Sequence, residues 1–415
     1  MKWGKMGLVS KKLNNIGLII LVFFMVYDTA RNYTHLPPVL GYTKDIIIYW
    51  WLIELIYMKA FKLPFRNLGF YIILSMCAIW SWVGLFYPVE RYAAYVNPII
   101  YILKQSEFFI LLFVFRNYDQ FFSRSYDKYI KLYLYFSVLL FFITLIGVYV
   151  DNNIISKNIV SENGASFPEY ANRISIGQPA IATFSQVVSL FFLLLCRSKT
   201  LPNLIMGLIC LLGVLMSTSI TGIMSTICLL IIIAVSSFIN GNTSAKIKIF
   251  ILVTVVFFAF YYFMQTDYFY NNFGIAYLMV ETRIDQFLYG TSVDPSMEAR
   301  VHQQEYVIEA LSNSLLGNFW GQGCNGAVIE NSYYGILLRF GLVGTVGFCI
   351  FFLSLMKKAI QVKSMFLIAF VGMYLAHWYT LDVLYVPQLS YAFSFFGMYC
   401  LYYNDSQCKS NSSNV

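Results

Sequence analysis

Charged side chains are scarce in this sequence of 415 residues. Only 12% of the residues are Asp, Glu, Lys or Arg, whereas soluble domains average about 25%. Residues with apolar or aromatic side chains make up 59%. This balance excludes an ordinary soluble domain and is typical of a protein that crosses a membrane many times. The net charge of +8 is spread between apolar segments, so it does not indicate a nucleic-acid surface.

Histidine is rare, and the cysteines are not arranged in pairs. His35, His302 and His377 lie far apart in the sequence, which argues against a metal centre, and we expect neither a metal nor another cofactor. His302 suits a solvated position on a helix. Six of the eight cysteines fall in apolar segments, Cys408 lies near the end of the chain and Cys324 lies in a polar stretch. Their spacing predicts no disulfide framework and no zinc site.

Long apolar runs dominate the rest of the sequence. A helix needs about 20 such residues to cross a bilayer. We therefore predict an all-α polytopic integral membrane protein, a single membrane domain over residues 1–415 with about twelve transmembrane helices. The second span is weak because it contains Asp45 and Glu54. The predicted spans are 15–34, 43–61, 68–87, 98–115, 131–150, 178–196, 201–217, 219–238, 249–266, 332–355, 364–381 and 383–403.

The distribution of lysine and arginine predicts the orientation of the chain. When the N-terminus is placed in the cytoplasm, most of the 28 basic residues fall in cytoplasmic segments. Both termini are then cytoplasmic, including a polar tail at 404–415. No small-residue cleavage site follows the first apolar run, so we interpret it as a retained span. Two larger loops, 151–177 and 267–331, are left on the outer side.

The second large loop contains a predicted helix. Asp294 suits the N-cap, Pro295 the first helical position and Gly317 the stop. We expect a short amphipathic helix that lies over the membrane mouth. The stretch "GNFWGQGCNG" follows it and is interpreted as a flexible connection to Glu330.

Arginines inside a membrane or at its edge are candidates for function, because placing their charge there is costly. The predicted outer side holds four of them: Arg173, Arg283, Arg300 and Arg339. The planar guanidinium can donate two parallel hydrogen bonds to a phosphate, so a group of arginines suits a lipid-linked diphosphate. The alternative is that they reach lipid headgroups or form salt bridges in the loops.

The stretch "AVIENSYYGILLRFG" combines an acid, an amide and an arginine at one membrane edge. Arg339 follows Ser332 by nearly two helical turns, so the two share a face on which Gly335 leaves room. A cavity lined by these residues can open beneath Glu330. Glu330 is a candidate general base, with a solvated residue favoured by the helix dipole as the alternative. Asn331 suits a helix cap or a contact with a sugar hydroxyl.

Several other charges suit structural roles. Lys104 and Glu107 are three residues apart in the fourth span, so we expect them to pair along the helix. Asp45, Glu54 and Asp382 lie near span ends or in a weak span, which favours a structural role over a proton relay.

Three stretches give the chain a resemblance to a known family. They are "NRISIGQPAIATFSQ", "MSTSITGIMST" and "EARVHQQEYVIEAL…LLGNFWGQGCNG…IENSYYGILLRFGLVG". With these motifs and its layout, the chain resembles the O-antigen polymerase (Wzy) family, within the superfamily that includes the O-antigen ligases. The third stretch is the most specific. Ile220 is a departure, since related chains often have arginine there, and Arg339 is a possible substitute.

The resemblance implies a GT-C-like polymerase/ligase architecture in a bacterial inner membrane. It also implies a metal-independent inverting glycosyltransferase that moves a growing glycan from undecaprenyl diphosphate to the next lipid-linked repeat unit, on the periplasmic side. Glu330 would deprotonate the acceptor hydroxyl, and Arg173 and Arg300 would bind the diphosphate. The expected partners are the undecaprenyl-diphosphate-linked oligosaccharide, membrane lipid and a chain-length regulator, with no nucleic acid. The expected substrate-binding set is Arg173, Arg300, Arg339, Arg283 and Asn331.

Three other functions remain open at the level of the sequence. An O-antigen ligase would transfer the glycan to lipid A-core, but Glu330 stands where the ligases carry histidine, which favours the polymerase. A flippase or other transporter also often has about twelve spans. Against it, the sequence has no internal repeat and no matching pair of helices broken by Gly or Pro. A purely structural membrane scaffold would leave the group of arginines unexplained.

Overall fold

The computed structural model of this chain is mainly helical in the part that it describes. Helix is the regular secondary structure of this part, with no strands in it, which confirms the prediction of an all-helical protein. The structure describes residues 2–27, 38–58, 61–86, 96–150, 179–197, 200–217, 219–240, 295–312, 315–379, 381–382 and 384–403, together with a few isolated positions between 258 and 267.

The helices are numbered here in chain order. The first group is α1 (Lys2–Tyr27), α2 (Pro38–Tyr57), α3 (Leu68–Ala78), a 3-10 helix (Trp80–Phe86), α4 (Pro98–Arg116), α5 (Tyr118–Phe121) and α6 (Tyr126–Val150). The second group is α7 (Pro179–Cys196), α8 (Leu201–Met216) and α9 (Ile220–Asn240). The third group is α10 (Pro295–Ser312), α11 (Leu315–Trp320), α12 (Ser332–Gln361), α13 (Met365–His377) and α14 (Pro387–Tyr402).

Five segments in the described part are long and apolar enough to cross a bilayer. Four shorter apolar helices accompany them, within α7, α8, α9 and α13. These helices support a membrane-embedded protein, while the full number of twelve spans stays a prediction. Most of the predicted span 249–266, the loop 151–177 and the tail 404–415 lie outside the described residues. The five long segments are Ser10–Tyr27, Leu68–Phe86, Pro98–Arg116, Tyr126–Ile146 and Ser332–Gln361.

Local sequence signals explain where several helices begin. The side chain of Asn67 accepts a hydrogen bond from the Phe70 amide at 2.7 Å and caps α3. Pro98 occupies the first turn of α4, where a missing N–H costs nothing. The Ser364 hydroxyl accepts from the Leu367 amide at 3.3 Å and caps α13. The Asn67 and Ser364 caps satisfy backbone N–H groups that have no partner within their own helices. Lipid could not satisfy these groups.

Small residues and aromatic rings hold the helices together. A Cβ atom added to Gly69 of α3 would lie 2.5 Å from the Phe351 amide nitrogen of α12, so the two backbones touch at this glycine. Around this contact Phe65, Phe70 and Phe351 form a cluster with ring centroids 5.0–6.2 Å apart. Close approach at small residues is the usual way in which membrane helices gain packing energy.

The predicted structural charges behave as expected. Lys104 lies 3.3 Å from the Glu107 carboxylate, and it also contacts Asp45 on α2. Glu54 accepts hydrogen bonds from Asn14 at 2.6 Å and from the indole N–H of Trp50 at 3.1 Å. The structural interpretation of these carboxylates is therefore supported by their contacts.

Candidate functional site

The candidate site begins at the N-terminus of α12. Asn331 is its N-cap: the side-chain oxygen accepts a hydrogen bond from the Tyr333 amide at 3.0 Å, and the residue is 3% exposed. This geometry confirms the cap among the roles expected for Asn331. Glu330 directly precedes the cap and is half-buried. The positive end of the helix dipole therefore lies next to the Glu330 carboxylate.

Helix α10 is docked against this edge. The backbone N–H of Glu330 donates to Oε1 of Gln303 at 2.9 Å, and the Gln303 side chain is buried. Val307 and Leu311, further along α10, are buried in one apolar cluster with Ile329 and its neighbours. The side-chain amide of Gln322 also donates to the Ala310 carbonyl of α10 at 2.9 Å. Helix α10 thus extends along the segment that leads into Glu330, and polar and apolar contacts fix its position.

The predicted stop of this helix is wrong. Helix α10 ends at Ser312, and Gly317 lies inside the next short helix, α11. The Gly321 amide donates to the Gly317 carbonyl at 2.7 Å, and α11 ends just before Gly321. The signal was misassigned because a second glycine with positive φ follows a few residues later, at Gly321.

Arg339 is enclosed by protein and is 1% exposed. Its Nη2 lies 3.0 Å from Oδ2 of Asp382, and its Nε donates to the Gly335 carbonyl at 2.7 Å. The guanidinium carbon is 4.8 Å from the centre of the Tyr101 ring, and the Tyr101 hydroxyl donates to the same Asp382 oxygen. Arg339 therefore joins α12 to α4 and to the segment that precedes α14.

The cavity expected beneath Glu330 is filled. A Cβ atom added to Gly335 would overlap Nη2 of Arg339, so the room that Gly335 leaves is taken up by the arginine of its own helix. The Ser332 hydroxyl is also engaged, donating to the Leu381 carbonyl at 2.6 Å. Among the described residues, Nη1 of Arg339 and Oδ1 of Asp382 have no hydrogen-bond partner. The proposed phosphate contact of Arg339 stays a prediction.

Helix α12 is broken just after Arg339. Gly341 has φ 59° and ψ −159°, which lies outside the helical region. The break frees the carbonyls of Leu338 and Arg339 from the regular helical pattern. They accept hydrogen bonds from the amides of Gln322 at 2.7 Å and Gly323 at 2.9 Å. Non-helical backbone at membrane depth is tolerated only when protein satisfies it in this way.

The glycine-rich stretch is a tightly packed segment, so its interpretation as a flexible connection is wrong. Gly321 and Gly323 have φ values of 76° and 73°, in the left-handed region. A Cβ atom on Gly321 would lie 2.5 Å from the Arg339 backbone. The Cys324 amide donates to the Ser81 carbonyl of the 3-10 helix at 2.9 Å. The stretch 321–326 is therefore wedged between α12 and the 3-10 helix.

Cys324 lies at the centre of this wedge. Its Sγ lies 3.2 Å from Oε1 of Gln105 on α4, and the residue is 1% exposed. Burial raises the pKa of the Cys324 thiol to about 11. The thiol therefore stays neutral at physiological pH and acts as a buried hydrogen-bonding group, because only a thiolate is a strong nucleophile.

The remaining predicted residues are placed only in part. Arg300 lies on α10, three residues before Gln303, and only its backbone is described. Arg173 and Arg283 lie outside the described residues. His302 is exposed, and its Nδ1 lies 3.2 Å from a carboxylate oxygen of Glu305. The exposure of His302 confirms its interpretation as a solvated helix residue.

Two contributors to this region were not identified from the sequence as parts of the site. Gln303 looked like an ordinary polar residue of α10, and Tyr101 looked like one of many aromatic residues. The spacing of Gln303 one turn after Arg300 is the only signal that could have suggested the first. Nothing local indicates the second, because its partner Asp382 is very distant in the sequence.

Comparisons with known proteins add no assignment. No protein-family model matches the chain, and no curated protein matches it significantly. The resemblance to the O-antigen polymerases therefore depends on the three quoted stretches and on the layout of the chain.

The buried ion pair gives a first prediction. Replacing Asp382 by Asn leaves the Arg339 charge uncompensated, so we expect a loss of about 3–5 kcal/mol of stability. Thermal melting of the purified protein in detergent measures this loss. The double variant Arg339→Met, Asp382→Asn should recover much of it, because no charge is then left unpaired. Melting of Asp382→Asn at the wild-type temperature would contradict the role of the pair. The control is Asp119→Asn, at an exposed position, which should melt like the wild type.

The wedge gives a second prediction. Gly321→Ala should destabilise the protein by at least about 1–2 kcal/mol, since alanine is strained at positive φ and its Cβ would collide with the Arg339 backbone. Gly372→Ala is the matched control: Gly372 lies inside α13 with nothing within 4 Å of an added Cβ. That change should stabilise the helix by about 0.5–1 kcal/mol. Equal melting temperatures for the two variants would show that the wedge is not tightly packed.

Proposed function

We propose that the edge formed by Glu330, Asn331 and helix α10 is the catalytic centre of a membrane glycosyltransferase. In this proposal the enzyme polymerises O-antigen or a related surface polysaccharide on the periplasmic face of a bacterial inner membrane. The donor is a growing glycan on undecaprenyl diphosphate, and the acceptor is the next lipid-linked repeat unit. The motifs quoted from the sequence support the class of reaction, and the geometry supports the location.

One contact carries the proposal: the hydrogen bond between the Glu330 backbone and Gln303. It holds α10 against the start of α12. Arg300 lies one helical turn before Gln303, and residues three apart share a face of a helix. This contact supports a shared edge of the protein for the base candidate and the diphosphate-binding candidate.

The proposed reaction needs a base for the acceptor hydroxyl and cations for the leaving diphosphate. The acceptor hydroxyl attacks the anomeric carbon of the donor glycan while Glu330 takes the hydroxyl proton. The bond between that carbon and the diphosphate oxygen breaks, and its electron pair leaves with undecaprenyl diphosphate. Arg300, with Arg173 and Arg283 from the outer loops, stabilises the charge that develops on the leaving group.

Arg339 has a positioning role in this proposal. Its observed bonds to Asp382 and to the Gly335 carbonyl fix the first turns of α12, which Glu330 and Asn331 directly precede. A site on a rigid support keeps its reacting groups aligned better than a site on a free loop.

A transporter is the second candidate, and one observation favours it. The Leu68–Phe86 span changes from α3 to a 3-10 helix near Ile79, and α12 breaks at Gly341. These two interrupted helices pack against each other. The absence of a pair of broken helices, which argued against transport from the sequence, is therefore a weaker objection. Interrupted helices line the substrate sites of many transporters.

The two candidates predict different glycans in a strain that lacks the gene. Loss of a polymerase should leave lipid A-core that carries a single repeat unit, because ligation still occurs. Loss of a flippase or a ligase should leave lipid A-core with no repeat. Gel electrophoresis of the extracted lipopolysaccharide separates these outcomes, and an unchanged ladder of long chains would reject both.

Substitutions test the proposed centre directly. Glu330→Gln keeps the size of the side chain but removes the base, so polymer formation should fall about 100- to 10,000-fold. Arg300→Lys should also be defective, because lysine lacks the two-pronged donor that matches a diphosphate. Polymer length on gels, compared at equal amounts of membrane-inserted protein, gives the readout.

Glu309→Gln is the matched control for this test, since Glu309 is exposed on α10. It should leave the polymer unchanged. Wild-type polymer from both Glu330→Gln and Arg300→Lys would place the catalytic centre elsewhere in the protein.

A further inference from the structure

A groove between α2 and α4 has apolar walls and a charged floor. Its volume is about 520 Å³, and its walls include Trp50, Ile53 and Leu103. The floor is formed by Asp45, Lys104 and Glu107. The motifs and the proposed glycan site make no use of this groove.

The charges on the floor do not balance. One lysine faces two carboxylates, so the fully ionised cluster carries a net charge of −1. Lys104 is in close contact with Asp45, but it lies 3.3 and 3.5 Å from the two oxygens of Glu107. The positive charge of Lys104 is therefore directed mainly at Asp45, and Glu107 is the carboxylate left in excess.

The surroundings of Glu107 do not compensate for this excess. Glu107 is 1% exposed and lies inside α4, one of the candidate membrane spans. Its other close partner is the hydroxyl of Tyr391 on α14, which is a neutral donor. From α2, Asp45 and Tyr49 face the cluster, and the Tyr49 hydroxyl is bonded to Ser106 at 2.8 Å and to the Leu103 carbonyl at 2.9 Å.

Lys104 is the one cation that acts on Glu107 among the residues that the structure describes. An ionised carboxylate without full compensation is strongly disfavoured inside a membrane protein. Binding one proton removes the excess charge.

We propose that Glu107 is a membrane-buried proton-binding site that is loaded through the groove between α2 and α4. Loading converts the Glu107 carboxylate to a carboxylic acid. The proton comes from water and returns to water, and no other bond is made or broken. Asp45 and Lys104 are 18% and 16% exposed, and Lys104 contacts both Asp45 and Glu107, so this pair links the enclosed Glu107 to the groove.

The site connects three helices. Asp45 belongs to α2, Lys104 and Glu107 to α4, and Tyr391 to α14. Helix α14 directly follows the segment that contains Asp382, the partner of Arg339. The proton-binding site and the buried ion pair therefore share helix α4, which carries Glu107 and also Tyr101, the residue that contacts Arg339 and Asp382.

Infrared difference spectroscopy of the full-length protein in lipid nanodiscs tests this proposal. The sample is stepped from mildly acidic to mildly alkaline pH, and the C=O stretching band of a protonated carboxyl group is recorded. The wild type should show this band at neutral pH, and Glu107→Gln should lose it. Asp45→Asn should weaken it, because Lys104 then pairs with Glu107 alone.

Glu54→Gln is the matched control on α2. Glu54 already accepts hydrogen bonds from several donors, so its substitution should leave the band intact. A wild-type protein without the band, or equal loss of the band in Glu54→Gln and Glu107→Gln, would overturn the proposal.

Isotope labelling of the wild-type protein assigns the band to glutamate or to aspartate, and this part of the test does not depend on the folding of any variant. Wild-type protein grown with ¹³C-labelled glutamate should show the band shifted to lower frequency. A band that does not shift would belong to an aspartate, such as the buried Asp382, and would also overturn the proposal.

Discussion

The need to satisfy backbone hydrogen bonds at the break in α12 is the constraint on which this structure depends. Gly341 interrupts a helix that is long enough to cross a bilayer, and two carbonyls lose their usual partners. Lipid offers no hydrogen-bond donor, so protein must supply them. The amides of Gln322 and Gly323 do so, and this fixes the course of the glycine-rich segment. The segment in turn determines where α10 and Glu330 lie.

The same break determines where the Arg339 guanidinium lies. Arg339 lies in the last turn of α12 before the break, and the glycine-rich segment covers its backbone. The guanidinium is then enclosed and must find a counter-charge, which Asp382 provides while Tyr101 offers its ring and its hydroxyl. A buried pair of this kind contributes little net stability but is costly to break. Its effect is to select one arrangement of α4, α12 and the segment before α14.

Local patterns predicted the local features well. Apolar run length placed most of the described helices near their observed bounds, although α1 begins at Lys2 and not near residue 15. Asn331 caps α12 as its residue type suggests, and Lys104 pairs with Glu107 at the expected spacing. The two features that were not predicted, the break in α12 and the packed glycine-rich stretch, have a common cause. Glycine in "RFGLVG" is compatible with a continuous helix, and glycine in "GNFWGQGCNG" is compatible with a flexible loop. The stretches become a break and a wedge only through contact with each other, which a single local window does not contain. The all-helical character was accessible from the sequence, but the partners of Arg339 were not.

Helix α4 shows how polar groups can be carried on two sides of one membrane helix. Tyr101 and Gln105 are four residues apart, share a face and serve the region of Asp382 and Cys324. Lys104 and Glu107 face α2 and α14. Such a helix is stable only when protein surrounds it. The α4 span is 61% buried, against 39% for Leu68–Phe86, which fits this requirement. Both polar sets therefore depend on the position of one helix.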